Sequence, residues 1–255
     1  MTTPACVLIT GASGAIGGAL ARGYAAPGVT LILQGRDRAG LETLARECAA
    51  FGAKPSIVCL DMRDVGRLRR WAGQMVQETL PDLVIANAGM NIDIGPDNGG
   101  ERWEDIEALL EINVRAVMAL VEVVLPALRA RRSGQIALMS SLAGYFGLPV
   151  TPSYCASKAA VKAYGEALRG WLAPEGIRVN VIMPGYVDSP MCRAMPGPKP
   201  FLWTAERAAR VIRQGLEKNR ARIAFPFPLH VGTWLLAVLP AEVSTCILRW
   251  LGYRG

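Results

Sequence analysis

Short apolar runs rich in β-branched residues recur along the chain at CVLIT (6–10), TLILQ (30–34), SIVCLD (56–61), LVIANAG (83–89), QIALMSS (135–141), IRVNVIMPG (177–185) and RIAF (222–225). Between them lie stretches with apolar residues at helical spacing, among them GLETLAREC, VGRLRRWAGQMVQ, WEDIEALLEINVRAVMALVEVV and SYCASKAAVKAYGEAL. Runs that are apolar on both faces do not suit a sheet with one wet side. They suit parallel strands covered by helices above and below. The pattern therefore predicts an α/β fold, a doubly wound parallel sheet of about seven strands with helices on both faces. Ligands of such sheets bind beyond the C-terminal ends of the strands, so the chemistry should follow the apolar runs directly.

Composition narrows the field. The 255 residues show no repeat or low-complexity tract, and Pro and Gly are scattered until about residue 184, which predicts one domain over 1–255. The net charge is +7, but the basic residues are dispersed rather than gathered in a stripe with aromatics, so no nucleic-acid partner is expected. Six cysteines without a CxxC pair read as reduced thiols. The start, MTTPACVLIT, lacks the features of a signal peptide, and together these point to a cytoplasmic protein. His230 is the only histidine, which excludes a multi-histidine metal site and leaves catalysis to other groups.

The first apolar run opens into Gly11-Ala12-Ser13-Gly14-Ala15-Ile16-Gly17 and then a helical face. Glycines let a backbone turn sharply and approach a pyrophosphate, and the following helix N-terminus offers free N–H groups, so this strand-turn-helix reads as a nucleotide site. The second run ends Gln34-Gly35-Arg36. Many NAD sites carry a carboxylate here for the ribose 2′-hydroxyl; Gly35 has none, and the Arg36 guanidinium suits a 2′-phosphate, favouring NADP(H) over a plain solvated-arginine turn. Tyr154 and Lys158 stand four residues apart on one helical face, where a cation can tune a phenol.

With that glycine turn, Asn87-Ala88-Gly89, Ser141, Tyr154-x-x-x-Lys158 and Pro184-Gly185 in order, the chain resembles the short-chain dehydrogenase/reductase family from residue 6 to about 191. The resemblance implies a Rossmann-like fold and hydride transfer between NADP(H) and a secondary alcohol or ketone. It implies that Tyr154 is the acid/base, that Ser141 binds the substrate oxygen, and that Lys158 holds the nicotinamide ribose and lowers the tyrosine pKa. Asn113 would form a kinked turn around a relay water. The turn from Gly11 through Ser13, Gly14, Ala15, Ile16 and Gly17 would take the pyrophosphate. Asp61 and Met62 would lie at the adenine, Asn87, Ala88 and Gly89 along the ribose side, and Val187 and Ser189 near the carboxamide. Pro184 and Gly185 count among the cofactor contacts, as do Tyr154 and Lys158.

The spacing Gly11-x-x-Gly14-x-x-Gly17, with Ala15 where the single-domain members have glycine, also occurs in the extended branch of the family. That keeps epimerase or dehydratase chemistry as an alternative, although only about seventy residues follow Pro184. A non-catalytic NADP(H) sensor is a second alternative, set against the presence of Ser141, Tyr154 and Lys158 together. Residues 189–203 read as a lid whose Met191, Met195, Phe201, Leu202 and Trp203 suit a lipophilic small-molecule carbonyl or alcohol. Leu109, Val117, Val121, Val161, Leu168 and Trp171 give the helices at 101–130 and 152–173 apolar residues on more than one face, which predicts a homodimer or homotetramer. The apolar extension 227–255 is too short to span a bilayer. Three roles stay open for it: folding over the substrate mouth, packing on a neighbour, or resting on a membrane surface through Trp234, Arg249, Trp250 and Arg254.

Overall fold

The computed structural model describes residues 4–95, 97 and 99–252. Seven parallel strands form one sheet in the order β3-β2-β1-β4-β5-β6-β7: β1 (Cys6–Thr10), β2 (Thr30–Gly35), β3 (Lys54–Cys59), β4 (Leu83–Ala86), β5 (Gly134–Met139), β6 (Ile177–Pro184) and β7 (Arg222–Phe225). The order reverses between β1 and β4, the switch point at which such sheets leave a crevice at their C-terminal edge. β1 and β4 are buried along their whole length, which explains why their sequences run apolar without alternation.

Helices α1 (Ala15–Tyr24), α2 (Arg38–Ala50) and α8 (Ala205–Glu217) cover one face, burying Leu20, Leu41 and Ile212 against Ile9 and Leu33. Helices α3 (Val65–Glu78), α5 (Ala116–Arg131) and α6 (Pro152–Leu172) cover the other, where Leu68, Leu120 and Leu168 meet Leu8, Val84 and Leu138. Several helices start on sequence-encoded caps: Asp37 accepts from Gly40 N, Asp64 from Arg67 N and Thr204 from Arg207 N. Helix α1 does not start on one. It begins after Gly14 with no side-chain cap and no acidic residue in its first turn.

The stretch expected as one helix over 103–124 is broken. Helix α4 (Trp103–Leu110) passes through a π-helical turn, Glu111–Arg115, into α5. The apolar residues expected on more than one face are distributed differently from the six named: the outer side of these helices is apolar at Trp103, Leu110, Met118 and Trp171. Leu109, Val117, Val121, Val161 and Leu168 all point into the chain's own core, and of the six residues only Trp171 is exposed, with the Arg129 guanidinium 5.4 Å from its ring centre. Helices on both sides of a twisted sheet bury more than one stripe when they also pack on each other, as α5 does on α3.

After β7 the chain forms two short helices, α9 (Leu229–Val238) and α10 (Ala241–Trp250), folded into a hairpin in which Ser244 Oγ donates to Leu236 O at 2.8 Å. Leu236 and Leu248 pack with Phe146 and Leu148, beside the start of α6. His230 sits at the root of the hairpin, with Nδ1 3.1 Å from Pro226 O. Among the described residues no helix is long and apolar enough to cross a membrane. Arg254 lies outside the described residues.

Candidate active site

A cavity of about 910 Å³ runs along the C-terminal edge of the sheet, from the glycine turn after β1 to the α9–α10 hairpin. At its first end, Gly11 takes a positive φ of 63°, and a side chain at Gly17 would place its Cβ 2.3 Å from Gly11 O, so the turn closes only without one. Three polar side chains fix this turn. Gln34 Oε1 accepts from Gly11 N at 3.2 Å while its Nε2 donates to Leu60 O at 2.6 Å, and Asn87 Nδ2 donates to Thr10 O at 2.9 Å. Thr10 Oγ1 in turn accepts from the backbone N–H groups of Asn87 and Ala88 at 3.0 Å. The ends of β1, β2 and β4 are thereby tied into one platform beneath the uncapped N-terminus of α1.

Ser13, Gly14, Ala15, Ile16 and Gly17 line the cavity at this end, with Arg36, Met62, Asn87, Ala88 and Gly89. Arg36 is exposed at the rim and forms no salt bridge among the described residues. Asp61 does not reach the wall. Its carboxylate is held by Arg63, 2.7 Å away, and that bond keeps it below the usual carboxylate pKa. The turn thus meets the demands of a phosphate group on the protein side with unclaimed N–H groups and space that a Cβ would fill, while the carboxylate of Asp37, on the lining beside Arg36, is engaged as the cap of α2, accepting from Gly40 N.

Midway along the cavity, Ser141 leaves β5 and Tyr154 and Lys158 leave the first two turns of α6. The Ser141 hydroxyl donates to Pro184 O at 3.4 Å and accepts from Ala143 N at 3.2 Å, and it stands close enough to the Tyr154 phenol to favour its ionised form. Lys158 is buried, donates from Nζ to Met139 O at 2.9 Å and stands 5.6 Å from the Tyr154 ring centre. Ser140 Oγ, one residue before Ser141, donates to Lys158 O at 2.7 Å and locks strand to helix. Burial pushes the Tyr154 phenol up to about 12, and burial also pulls the Lys158 ammonium down to about 8. The expected lowering of the tyrosine pKa is therefore reversed in this structure, because desolvation of the phenol outweighs a lysine that is itself desolvated and turned to a backbone carbonyl.

Asn113 lies in the π-helical turn, behind the wall rather than on it. Its Oδ1 accepts from Met90 N at 2.8 Å, and its Nδ2 donates to Met90 O at 2.9 Å and to Ser157 Oγ at 3.0 Å. The kink expected at this residue is present. Its side-chain amide is fully engaged by protein, holding the chain after β4 against α6, so a water would have to be bound by other groups of the turn.

Pro184, Gly185, Val187 and Ser189 continue the wall after β6, followed by Met191, Cys192 and Met195 from α7 (Pro190–Ala194) and its neighbouring loop. The loop is closed at its base: Val187 bridges to Trp203, whose ring stacks on Phe225 at 5.2 Å with the Arg207 guanidinium 4.0 Å from its other side. The far end of the cavity is made by Leu229, Leu236, Leu239, Leu248 and Leu251. The described part of residues 227–255 thus folds over the mouth, one of the three roles left open for it. Sequence reasoning missed Thr10, Gln34, Ser140 and these tail leucines. A glutamine inside an otherwise apolar strand was the signal for Gln34; nothing local marked the leucines, whose role depends on where the hairpin lands.

The family model for short chain dehydrogenase matches residues 5–197. An uncharacterized oxidoreductase of Myxococcus xanthus is 34% identical over 247 residues, with 96% of each chain covered. A 3-oxoacyl-(acyl-carrier-protein) reductase of Thermotoga maritima is 30% identical over 190 residues, 74% of this chain and 76% of that one. Among solved structures, a short-chain dehydrogenase from Sphingobium yanoikuyae in complex with NADPH has a TM-score of 0.80 and 25% identity, covering 96% of this chain and 95% of that one. The match takes in the glycine turn, the β4 end, Ser141 and the Tyr154–Lys158 helix alike, and on that extent the chain belongs to the short-chain dehydrogenase/reductase family of oxidoreductases.

Proposed function

We propose that the protein is an NADP(H)-dependent reductase of lipophilic ketones and dehydrogenase of the corresponding secondary alcohols. The observation that carries this reading is that Ser141, Tyr154 and Lys158 line one cavity together, between a phosphate-fitting glycine turn and an aliphatic end. When bound, NADP(H) supplies or accepts the hydride. The residues placed to hold it are the Gly11–Gly17 turn, Arg36 for a 2′-phosphate, Met62, Asn87 through Gly89, Lys158, and Pro184, Gly185, Val187 and Ser189.

The chain's own part is proton handling and placement. A substrate oxygen between Ser141 and Tyr154 receives hydrogen bonds from both hydroxyls, and in reduction Tyr154 gives up its phenolic proton to that oxygen as negative charge gathers there. A phenol with a pKa raised to about 12 keeps that proton at neutral pH, and the buried Lys158 cation offsets the charge left on the phenolate. The leucines of the tail and the methionines of the α7 loop exclude water from this region and favour an apolar substrate. Two findings lend weight: the Sphingobium relative binds NADPH, and the Thermotoga relative acts on a ketone attached to an acyl chain. A homo-oligomer is supported by the family resemblance and by Trp103, Leu110, Met118 and Trp171, exposed on the helices invoked for it.

The test is a panel of ketones graded by chain length, with nicotinamide absorbance followed for NADPH and NADH separately. Turnover that rises with chain length and prefers NADPH is expected. Cofactor binding without turnover of any ketone or alcohol would leave a sensor.

A further inference from the structure

Helix α9, LHVGTWLLAV, contains no acidic residue, lysine or arginine, although it lies at the surface. A surface helix normally turns a polar face outward; one that is apolar all round is covered by something. Its inner side is accounted for by Leu236 in the cavity end. Its outer side is not: Trp234 is 45% and Val238 58% exposed, and across the hairpin Val243 is 45% and Trp250 84% exposed. These residues form an apolar patch carried by two short helices.

Two observations identify the occupant. Leu235, Leu239 and Leu251 are exposed and also line the cavity, so the apolar surface of the hairpin continues into the pocket. A protein partner seated there would stopper the mouth, whereas a lipid surface is fluid and is itself the solvent of lipophilic ketones. The second observation is the arrangement of side chains. Two tryptophans carry indole N–H groups beside aliphatic residues, and Arg249 adjoins Trp250, the pattern of a segment that lies in a bilayer interface. Neither helix is long enough to cross. We propose that the α9–α10 hairpin docks the protein on a membrane surface and that the substrate enters the cavity directly from the bilayer, between the hairpin and the α7 loop. The entry route rests on the proposed ketone activity; the docking does not.

The test uses the full chain and a variant, Trp234→Glu/Val238→Glu/Trp250→Glu, which alters only side chains outside the cavity lining. Each is sedimented with vesicles of phosphatidylcholine and of phosphatidylcholine mixed with phosphatidylglycerol, and an unchanged melting temperature shows that the variant is folded. If charged side chains destabilise the hairpin, the milder Trp234→Ser/Trp250→Ser takes its place. The native chain is expected to pellet with vesicles and the variant to stay in the supernatant, with partitioning lower by roughly tenfold or more. With NADPH, a short water-soluble ketone should be reduced equally by both, while a long-chain ketone dissolved in vesicles should be reduced much more slowly by the variant. A native chain that ignores vesicles, a variant that binds them equally well, or a patch that proves to join two copies of the chain in sedimentation overturns the docking. If no ketone is reduced by either protein, the activity reading fails while vesicle binding still decides the docking. Equal rates on vesicle-borne ketone despite lost binding remove the entry route.

Discussion

At the glycine-turn end of the cavity the wall is largely backbone, pinned by Thr10, Gln34 and Asn87; at the hairpin end it is aliphatic side chain, with one side-chain hydrogen bond from Ser244 to Leu236 joining the two helices. The first construction tolerates almost no change of shape, because N–H groups must stand at fixed positions to receive phosphate. The second can vary widely, since aliphatic contact is non-directional. The difference separates what a dehydrogenase fold must keep from what it is free to specialise.

Between the two ends stands the proton-transfer pair, and the largest expected effect is there. Tyr154→Phe removes the proton donor while leaving both walls intact, so kcat should fall by about 10²–10⁴-fold with NADPH affinity little changed. Stopped-flow reduction and a fluorescence titration of the cofactor separate the two quantities. A variant that keeps most of its rate would place the proton elsewhere.

Gly17→Ala tests the rigidity claimed for the first wall. Its Cβ would fall 2.3 Å from Gly11 O and 2.9 Å from Ala12 Cα, so the turn must open. A loss of about 1–3 kcal/mol in stability and at least a tenfold weakening of cofactor binding are expected, read by thermal melting and titration. A silent substitution would mean that this end is as pliable as the other. Arg36→Ala is narrower: NADP(H) should weaken by roughly 1–3 kcal/mol while NAD(H) barely moves, and equal losses would remove Arg36 from 2′-phosphate recognition.

The two ends also differ in how far they could be read in advance. Strand number, the parallel sheet, the glycine turn and the Tyr154–Lys158 pair follow from patterns local in sequence: runs of apolar residues, glycines at a strand end, a four-residue helical spacing. The phenol's raised pKa does not, because it depends on burial, and the spacing alone suggested the opposite sign. Val117, Val121, Val161 and Leu168 of α5 and α6 were legible as apolar but not as inward-facing, since helix-on-helix contact across one sheet face uses a second stripe. The tail was the least legible. Its leucines meet the cavity only because β7 releases the chain at the mouth, a tertiary fact that no local spacing records.

The second wall is tested by Leu248→Ala, which removes a buried contact between the hairpin and Phe146 and Leu148. Being held by few bonds, the hairpin should loosen before the sheet does. Expected are faster amide exchange across 229–250 with β1, β4 and β5 unchanged, a several-fold rise in KM for a long ketone, and an unaltered cofactor affinity. Loss of global stability without local loosening would show that the hairpin is part of the central cooperative unit.

The smallest effect concerns Lys158 and follows from its pKa, lowered from 10.5 to about 8 by burial. Between those values the unfolded chain holds the proton and the folded chain does not, so stability contributed by this site rises with pH across the window; below about 8 the buried cation costs its full desolvation. Lys158→Met abolishes the term. The stability difference between native chain and variant should therefore grow in the native chain's favour by about 1 kcal/mol from pH 7 to pH 9, measured by denaturant unfolding without cofactor. The same titration should appear in catalysis. Above pH 8 the charge that offsets a Tyr154 phenolate is lost while the phenol itself stays protonated to about 12, so ketone reduction should decline on the alkaline side with a midpoint set by Lys158 and not by Tyr154. A stability difference that is flat, or that shrinks with pH, would mean that the ammonium is better solvated than its contact with Met139 O implies, and the middle of the cavity would then belong with its pliable end.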